Sequence, residues 1–456
     1  MTQVTEVIPE AAPDSGTWLS HWEPEDPKFW ASVGRRIAWR TLTLTTISLV
    51  LSFATWFAMS AIVVRLPEIG FTYTDMQLFW LAALPGLAGG TLRIVHTFLV
   101  PMFGSRHVIT VATFLKLLPC IGIGLAVMNP DTPFWLFAVL ALSAGFGGGD
   151  FSSYMPSTSL FFPKRLQGTA LAIQAGVGNF GVSVVQFLTP LIIGVASIGG
   201  LVGASQVLDR GGQIEEVWLQ NAVFIYVPFL VAIGVLCWIF LRSVPVRASF
   251  REQFDIFRIK HTWIMTSLYV MTFGSFAGFA AAFPLLIRTS YGGFPDAPDP
   301  LHFAYLGPLV GSLMRIVAGP PSDRWGGAIL TTVSGVGLVI CALGVIPFLD
   351  PTSVDQFGWF VALMLGIFFF SGVGNASTFR QIPVIFCENP RQGASVIGWT
   401  AAVAAYGPFV FASLIGWVIS ATGSPAPFFY GAAVFYLMNI GLNWWFYNRR
   451  RADCPC

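Results

Sequence analysis

Long apolar runs separated by short polar stretches dominate the sequence. Twelve of these runs reach the roughly 20 residues that an α-helix needs to cross the ~30 Å hydrocarbon core of a bilayer. They fall into two sets of six, which predicts an all-α integral membrane protein with 12 transmembrane helices. The predicted segments are 39–62, 76–100, 108–128, 133–160, 168–195, 221–242, 261–290, 301–320, 328–348, 357–387, 392–421 and 427–447.

The same pattern predicts the domain organisation. Residues 39–242 and 261–447 form an N-terminal and a C-terminal six-helix bundle. Between them, 243–260 is the longest charged connection and is predicted to be a linker. A polar segment, 1–38, precedes the first bundle, and a short tail, 448–456, follows the second.

Composition narrows the class of protein further. The 456 residues are 55% hydrophobic and 10% charged, with a mean hydropathy of +0.71, whereas soluble domains contain about 25% charged residues. This excludes most soluble enzymes and makes the lipid bilayer the main partner. The formal net charge is only +2, so we expect no nucleic-acid partner, because there is no extended basic field to attract one.

Basic residues are distributed unevenly over the polar connections. Of the 24, seventeen lie on the side that carries both termini and the 243–260 linker, and only Arg65, Arg210 and Arg288 lie on the other. Cytoplasmic connections of membrane proteins carry the excess of Lys and Arg. Both termini are therefore predicted to be cytoplasmic, which requires an even number of spans. The remaining four basic residues lie inside apolar segments and are Arg93, Lys116, Arg315 and Arg380.

Two sequence repeats relate the two bundles. Residues 89–107 and 311–327 share a Gly four positions before an Arg and another Gly eleven positions after it. The stretches 161–168 and 386–393 also match, and the two offsets, 222 and 225 residues, differ by only three. A duplicated half is typical of secondary transporters, whose binding site lies near the bilayer midplane between the halves.

The duplication places two arginines at equivalent depths. Eleven residues of α-helix rise about 16 Å, so Arg93 and Arg315 each begin near the middle of a ~30 Å core. A charge at that depth costs several kcal/mol unless it faces a partner or a cavity. Either one arginine pairs with Asp150 and the other with backbone carbonyls, or both bind a small permeant oxyanion whose planar oxygens match their guanidinium forks.

Several motifs resemble those of one transporter family. They are FSSYMPSTSLFFPK at 151–164, GVGNFGV at 176–182, GVGNAST at 372–378, HWEPEDPKFW at 21–30 and LPEIGF at 66–71. Over nearly its whole length the chain resembles the nitrate/nitrite porters, the NarK-like members of the major facilitator superfamily. That resemblance implies two pseudo-symmetric six-helix bundles in a bacterial inner membrane, forming a monomeric unit that carries nitrate and nitrite. It also implies an anion site made of Arg93, Arg315, Asn179, Tyr269, Phe151 and Phe273.

The sequence leaves two modes of transport open, exchange of one anion for another and symport with a proton. Family members commonly have Asn where this chain has Asp150. Nitrate/nitrite antiport needs no titratable group and is favoured, since an empty site with two permanent positive charges is costly to enclose. Proton-coupled nitrate symport, the alternative, needs a group such as Asp150, His96 or Lys116. Each has a structural reading too. Asp150 either packs or pairs with Lys116 or Arg380. His96 is a helix-packing residue, and Lys116 is a partner of Asp150 or a side chain that reaches the interface.

Other classes of function find little support. The chain contains no HExxH, GxSxG or CxxC motif and no separate catalytic or signalling domain, which disfavours a membrane enzyme or sensor. Residues 176–181 match GxGxxG but lie inside a membrane segment with no preceding strand, so we expect no dinucleotide cofactor. A lone CxC at 454–456 does not predict a metal site.

Overall fold

The computed structural model describes residues 18–196, 203–210, 213–244 and 255–456. These residues form twelve helices of membrane-spanning length. We number them α1 to α12 in chain order. They are α1 Pro27–Ile62, α2 Asp75–Phe103, α3 Ser105–Ala126, α4 Phe134–Phe161, α5 Lys164–Ile193, α6 Asn221–Phe240, α7 Lys260–Tyr291, α8 Pro300–Val317 with Gly319–Trp325 after a 43° bend, α9 Gly327–Phe348, α10 Val354–Ile385, α11 Gln392–Thr422 and α12 Ala426–Asn443.

Most of these helices are long and apolar enough to cross a membrane. Ten meet that condition by themselves, and the bent α8 makes eleven when its two parts count as one span. Helix α12 is less apolar because it carries Asn439 and Asn443, which are buried and hydrogen-bonded within the C-terminal bundle. Its 18 residues still rise about 27 Å. The predicted fold class is therefore confirmed.

The start of α1 differs from the sequence-based boundary. The helix begins at Pro27, well before residue 39, because Asp26 caps it by accepting hydrogen bonds from the backbone N–H groups of Lys28 and Phe29. Trp30 is buried there against Phe162. The charged residues of this stretch lower its hydropathy, so the amphipathic start of the helix was not predicted from the sequence. Residues 1–17 and the 245–254 part of the linker lie outside the described residues.

A β-hairpin between α5 and α6 was not predicted from the sequence. Strand β1, Gln206–Arg210, pairs antiparallel with β2, Gln213–Val217. Leu208 and Val217 are buried, whereas Ile214 is exposed. The hairpin was missed because neither QVLDR nor QIEEV alternates strictly between apolar and polar residues.

Gly104 and Gly326 form equivalent turns after α2 and α8. Their φ/ψ angles are 77°/155° and 94°/142°, a region in which glycine is strongly favoured. Both turns lie at the membrane face that carries the described chain ends, since Gly104 packs beside Trp18 and Gly326 packs beside Cys456. The repeated Gly in the sequence therefore corresponds to a repeated backbone conformation.

We predict that Gly104→Ala lowers stability by about 1–3 kcal/mol, because alanine is strained at this φ. A Cβ atom would also lie 2.3 Å from Ser243 Oγ. Gly168→Ala is the matched control, since a Cβ there meets nothing within 4 Å. Thermal unfolding of the purified protein in detergent measures both, and equal midpoints for the parent and Gly104→Ala would contradict the prediction.

Ion pairs join the two bundles on the opposite membrane face, which we call the far face. Arg65 follows α1, is buried, and donates to both carboxylate oxygens of Asp299 at 2.7 Å just before α8. Arg288, near the end of α7, contacts Asp75 at the start of α2 at 3.1 Å. Each pair connects an N-terminal element to a C-terminal one, so the halves are held together on this side.

Candidate functional site

Arg93 lies on α2 at the contact between the two bundles and is fully buried. Its Nε donates to the carbonyl of Gly148 on α4, and its Nη1 donates to the carbonyl of Ala401 on α11, both at 2.8 Å. Nη2 has no hydrogen-bond partner among the described residues. Carbonyls are neutral acceptors, so these hydrogen bonds leave the positive charge of Arg93 without a counter-charge.

Arg315 approaches the same place from α8 in the other half. Its guanidinium carbon lies 5.9 Å from the centre of the Phe273 ring, and that of Arg93 lies 5.4 Å from the same ring. Arg315 is also buried, and its Nη1 has no partner within the described part of the chain. The structure thus brings together the two arginines that the sequence repeat picked out.

A row of aromatic rings lies between and beside the arginines. Tyr269 stacks on Phe273 with 5.4 Å between ring centroids and 4° between planes, and on Phe379 at 4.4 Å and 17°. The α7 backbone widens to a π-helical turn at Val270–Gly274, a feature that often marks functional sites. Tyr269 is close enough to interact electrostatically with both Arg93 and Arg315.

The N-terminal bundle supplies a second aromatic wall. Phe151 and Trp56 lie 4.8 and 5.3 Å from the guanidinium carbon of Arg93. Glycines make this approach possible, because a Cβ atom on Gly148 would lie 2.7 Å from the Cα of Gly89 and from a Trp56 ring atom. The glycine run of α4 therefore allows α4 to pack closely on α2 and presents the Gly148 carbonyl to Arg93.

Two buried asparagines belong to the GVGN sequences of α5 and α10. In both Asn179 and Asn375 the amide oxygen and the amide nitrogen have no partner among the described residues. Asn375 lies one turn before Phe379 on the same helix face. Sequence reasoning identified Asn179 but missed Asn375 and Phe379; the repeated GVGN was the signal available for Asn375.

Asp150, Lys116 and His96 form a separate buried cluster in the N-terminal bundle. Lys116 pairs with Asp150, which also accepts a 2.6 Å hydrogen bond from Ser52 Oγ. His96 Nδ1 lies 3.9 Å from the Asp150 carboxylate and 3.0 Å from Ser153 Oγ. Of the alternatives left open by the sequence, the structure has Lys116 as the partner of Asp150.

The fourth basic residue of the apolar segments is not in the interior. Arg380 near the end of α10 is partly exposed and pairs with Asp323. Arg93 binds backbone carbonyls as one alternative expected, but it makes no hydrogen bond to Asp150, and neither does Arg315 within the described residues. Among the residues that the structure describes, both guanidiniums consequently lack a carboxylate partner.

The assembled site suits a small planar anion. Each guanidinium provides charge and an Nη group without a partner among the described residues, the Tyr269 hydroxyl provides a neutral donor, and Phe151 and Phe273 provide flat apolar surfaces. A buried site of this kind strengthens charge-assisted hydrogen bonds because the surroundings are poorly polarisable.

Known proteins share sequence and fold with this chain. Residues 44–400 match the Major Facilitator Superfamily. The chain is 61% identical to a probable nitrate/nitrite antiporter, NarK2, of Thermus thermophilus over 97% of this chain and 99% of that one. It is 36% identical to the nitrate/nitrite transporter NarU of Escherichia coli (strain K12) over 95% and 96%. A bacterial homolog of the human lysosomal transporter Spinster in an inward-facing conformation has a similar fold, with a TM-score of 0.65, 15% identity, and coverage of 89% of this chain and 96% of that one.

Proposed function

Since the chain belongs to the nitrate/nitrite porter family of the major facilitator superfamily, we propose that it exchanges nitrate for nitrite across a bacterial inner membrane, binding each anion between Arg93 and Arg315. The observation that carries this proposal is the pair of buried guanidiniums beside the Phe273 ring. Each has an Nη group without a hydrogen-bond partner among the described residues. A monovalent anion between them offsets one of the two positive charges and accepts hydrogen bonds from both Nη groups.

Nitrate and nitrite fit the chemistry of the surrounding groups. Both are small, flat and permanently charged near neutral pH, so the forked donors of Arg93 and Arg315 can each hold an anion oxygen. The hydroxyl of Tyr269 and the amide of Asn179 donate neutral hydrogen bonds, while Phe151 and Phe273 cover the anion faces and exclude water. A sugar, with its many hydroxyl groups, would need more polar lining than these aromatic and glycine-rich helices offer.

Exchange follows from the electrostatics of the empty site. Reversing the orientation of the two bundles breaks the hydrogen bond from Arg93 to Ala401, because these residues belong to different halves. Without an anion, two uncompensated charges would have to pass through a closed interior of low polarisability, which is costly. With nitrate or nitrite bound, the net charge of the site falls from +2 to +1 and both guanidiniums have an anion to contact, so the loaded carrier reorients more readily than the empty one.

Purified protein in lipid vesicles tests this mechanism directly. Vesicles loaded with nitrite should take up external nitrate with no proton gradient, and unloaded vesicles should take up little. Collapsing any proton gradient with an ionophore should leave the exchange rate unchanged. Uptake that ignores internal nitrite would overturn antiport.

Nitrate/proton symport is the second candidate, favoured by one observation. His96, Asp150 and Lys116 form a buried cluster of titratable side chains on helices that also carry Arg93 and Phe151. In this reading Asp150 or His96 accepts the transported proton. The expected result is nitrate uptake that requires an inward proton gradient. Antiport is preferred because the Asp150 charge is already matched by Lys116.

Tyr269→Phe should weaken nitrate binding by roughly 10-fold or more. The ring stack remains, but a hydrogen bond to a charged ligand, worth about 1.5–3 kcal/mol, is lost. Tyr436→Phe is the matched control, since Tyr436 is buried in the same half and its hydroxyl contacts Ser275 instead. Calorimetric titration with nitrate measures both variants, and unchanged affinity in Tyr269→Phe would remove this residue from the site.

We assign both termini to the cytoplasm and take the single chain as the transport unit. The basic residues support the cytoplasmic position of the termini. Arg65 and Arg288 lie on the far face, whereas most of the others lie on the face that carries the chain ends. A protease-sensitive tag added after residue 456 should be cleaved only when the cytoplasmic side of the membrane is exposed. Cleavage in intact cells would reverse the assignment.

A further inference from the structure

An apolar crevice opens on the lipid-facing side of the N-terminal bundle, away from the anion site. It has a volume of about 530 Å³ and lies between α2 and α3. Its lining includes Leu99, Met102 and Phe103 from α2 and Val111 and Leu115 from α3. Four of these are exposed, with Met102 at 62%, and a membrane helix exposes such side chains to lipid tails. The α2–α3 crevice is therefore shaped and lined for a hydrocarbon chain.

Basic side chains gather where this crevice reaches the membrane face that carries the chain ends. Arg106 follows Phe103 by three residues and lies 4.6 Å from the ring of Trp238 on α6. The backbone N–H of Arg106 donates to Ser243 Oγ at 3.3 Å, which brings the neighbouring Arg242 to the same place. Arg242 is close enough to repel Arg106 electrostatically.

Two further arginines of α1 complete this basic cluster. Arg40 lies 5.4 Å from the ring of Phe240 and is repelled by both Arg242 and Arg36. None of the four arginines, at positions 36, 40, 106 and 242, forms an ion pair with a carboxylate within the described residues. Like charges held together in this way favour an external anion.

The depth of the cluster agrees with a lipid phosphate. His107 and Arg106 both pack on Trp238, and tryptophans concentrate at the level of lipid headgroups. Basic pockets between transmembrane helices on the cytoplasmic side bind anionic headgroups, and arginine forks match phosphate oxygens. His107 also lines the crevice, so the basic cluster at the headgroup level and the apolar crevice at the tail level are linked through His107 and Trp238.

We propose that one anionic phospholipid occupies this place, with an acyl chain in the α2–α3 crevice and its phosphate on Arg106, Arg242 and Arg40. The site is distinct from the anion site between the bundles and does not depend on what the protein transports. At its inner end the crevice reaches His96, whose other contact is Ser153 beside the Asp150 pair. A bound tail would pack against this buried cluster from outside.

Native mass spectrometry of the full chain tests the proposal. The protein is released from micelles that contain equal amounts of phosphatidylglycerol and phosphatidylcholine with identical acyl chains. We expect one phosphatidylglycerol per protein to be retained in preference to phosphatidylcholine by about 5-fold or more. Arg106→Gln with Arg242→Gln should abolish this preference, whereas Arg450→Gln with Arg451→Gln, two exposed arginines at the same membrane face, should preserve it.

Two further measurements test the acyl-chain part and the phosphate part of the site separately. Val111→Trp fills the crevice and should reduce retention of phosphatidylglycerol while leaving all four arginines in place. Inorganic phosphate at millimolar concentration should not displace the lipid; displacement would identify a site for soluble phosphate and overturn the proposal. Equal retention of the two lipids by the parent protein, or undiminished preference in the double arginine variant, would also overturn it. Should that double variant fail to fold, the single Arg242→Gln variant carries the same comparison.

Discussion

Replacing either Arg93 or Arg315 by lysine is expected to reduce nitrate/nitrite exchange by about 100-fold or more. Lysine keeps the positive charge but loses the planar fork. In Arg93 the three nitrogens point to different places, since Nε and Nη1 donate to carbonyls on α4 and α11 and Nη2 is left for the anion. One ammonium cannot make all three contacts. Losing two hydrogen bonds that involve a charged group costs roughly 3–6 kcal/mol, which exceeds a 100-fold effect.

The measurement is exchange of labelled nitrate in nitrite-loaded vesicles at equal protein content. Arg380→Lys is the matched control, because Arg380 is partly exposed and pairs with Asp323, and an ammonium can replace that surface contact. Thermal unfolding of each variant separates loss of binding from loss of fold. Near-parental exchange in both Arg93→Lys and Arg315→Lys would eliminate the two-arginine site.

Breaking the Lys116–Asp150 pair is expected to have the largest effect on stability. Both side chains are fully buried, so Lys116→Met leaves a carboxylate without its counter-charge, at a cost of about 3–5 kcal/mol. Asp150→Asn leaves the ammonium in the same position and should cost a similar amount. The double variant Lys116→Met/Asp150→Asn removes both charges, and it should recover most of the stability that either single change loses.

Thermal unfolding midpoints of the four proteins, parent included, give this coupling as a double-mutant cycle. Additive losses in the double variant would show that the pair contributes little. The double variant also separates the two coupling hypotheses. If Asp150 only stabilises the fold, the folded double variant still exchanges nitrate for nitrite. If Asp150 carries the transported proton, the folded double variant loses proton-dependent nitrate uptake.

The sequence predicted what depends on periodicity and repetition. Twelve apolar runs, the repeated Arg93 and Arg315, and the paired turns at Gly104 and Gly326 all follow from spacing along one chain. Contacts between helices could not be predicted from spacing along the chain. Phe379 stacks on Tyr269 only because α10 and α7 lie side by side, and Trp56 reaches Arg93 only because Gly148 and Gly89 let their helices meet.

Two other features escaped for local reasons. The α1 start at Pro27 depends on a cap at Asp26 within a charged stretch, and the two strands of the hairpin do not alternate strictly between apolar and polar residues. The pairing of Asp150 was left open among the four intramembrane cations, because a sequence determines neither the direction of a side chain nor the distance between helices.

The ion pairs of the far face imply that the two directions of the transport cycle have unequal barriers. Opening on that side must separate Asp299 from Arg65 and Asp75 from Arg288, while opening on the other side leaves these pairs intact. The Arg288–Asp75 pair is exposed enough to be screened by salt. In a two-compartment experiment, raising the ionic strength on the far side alone should therefore change the rate of opening towards the far side. The same change on the other side should have no such effect.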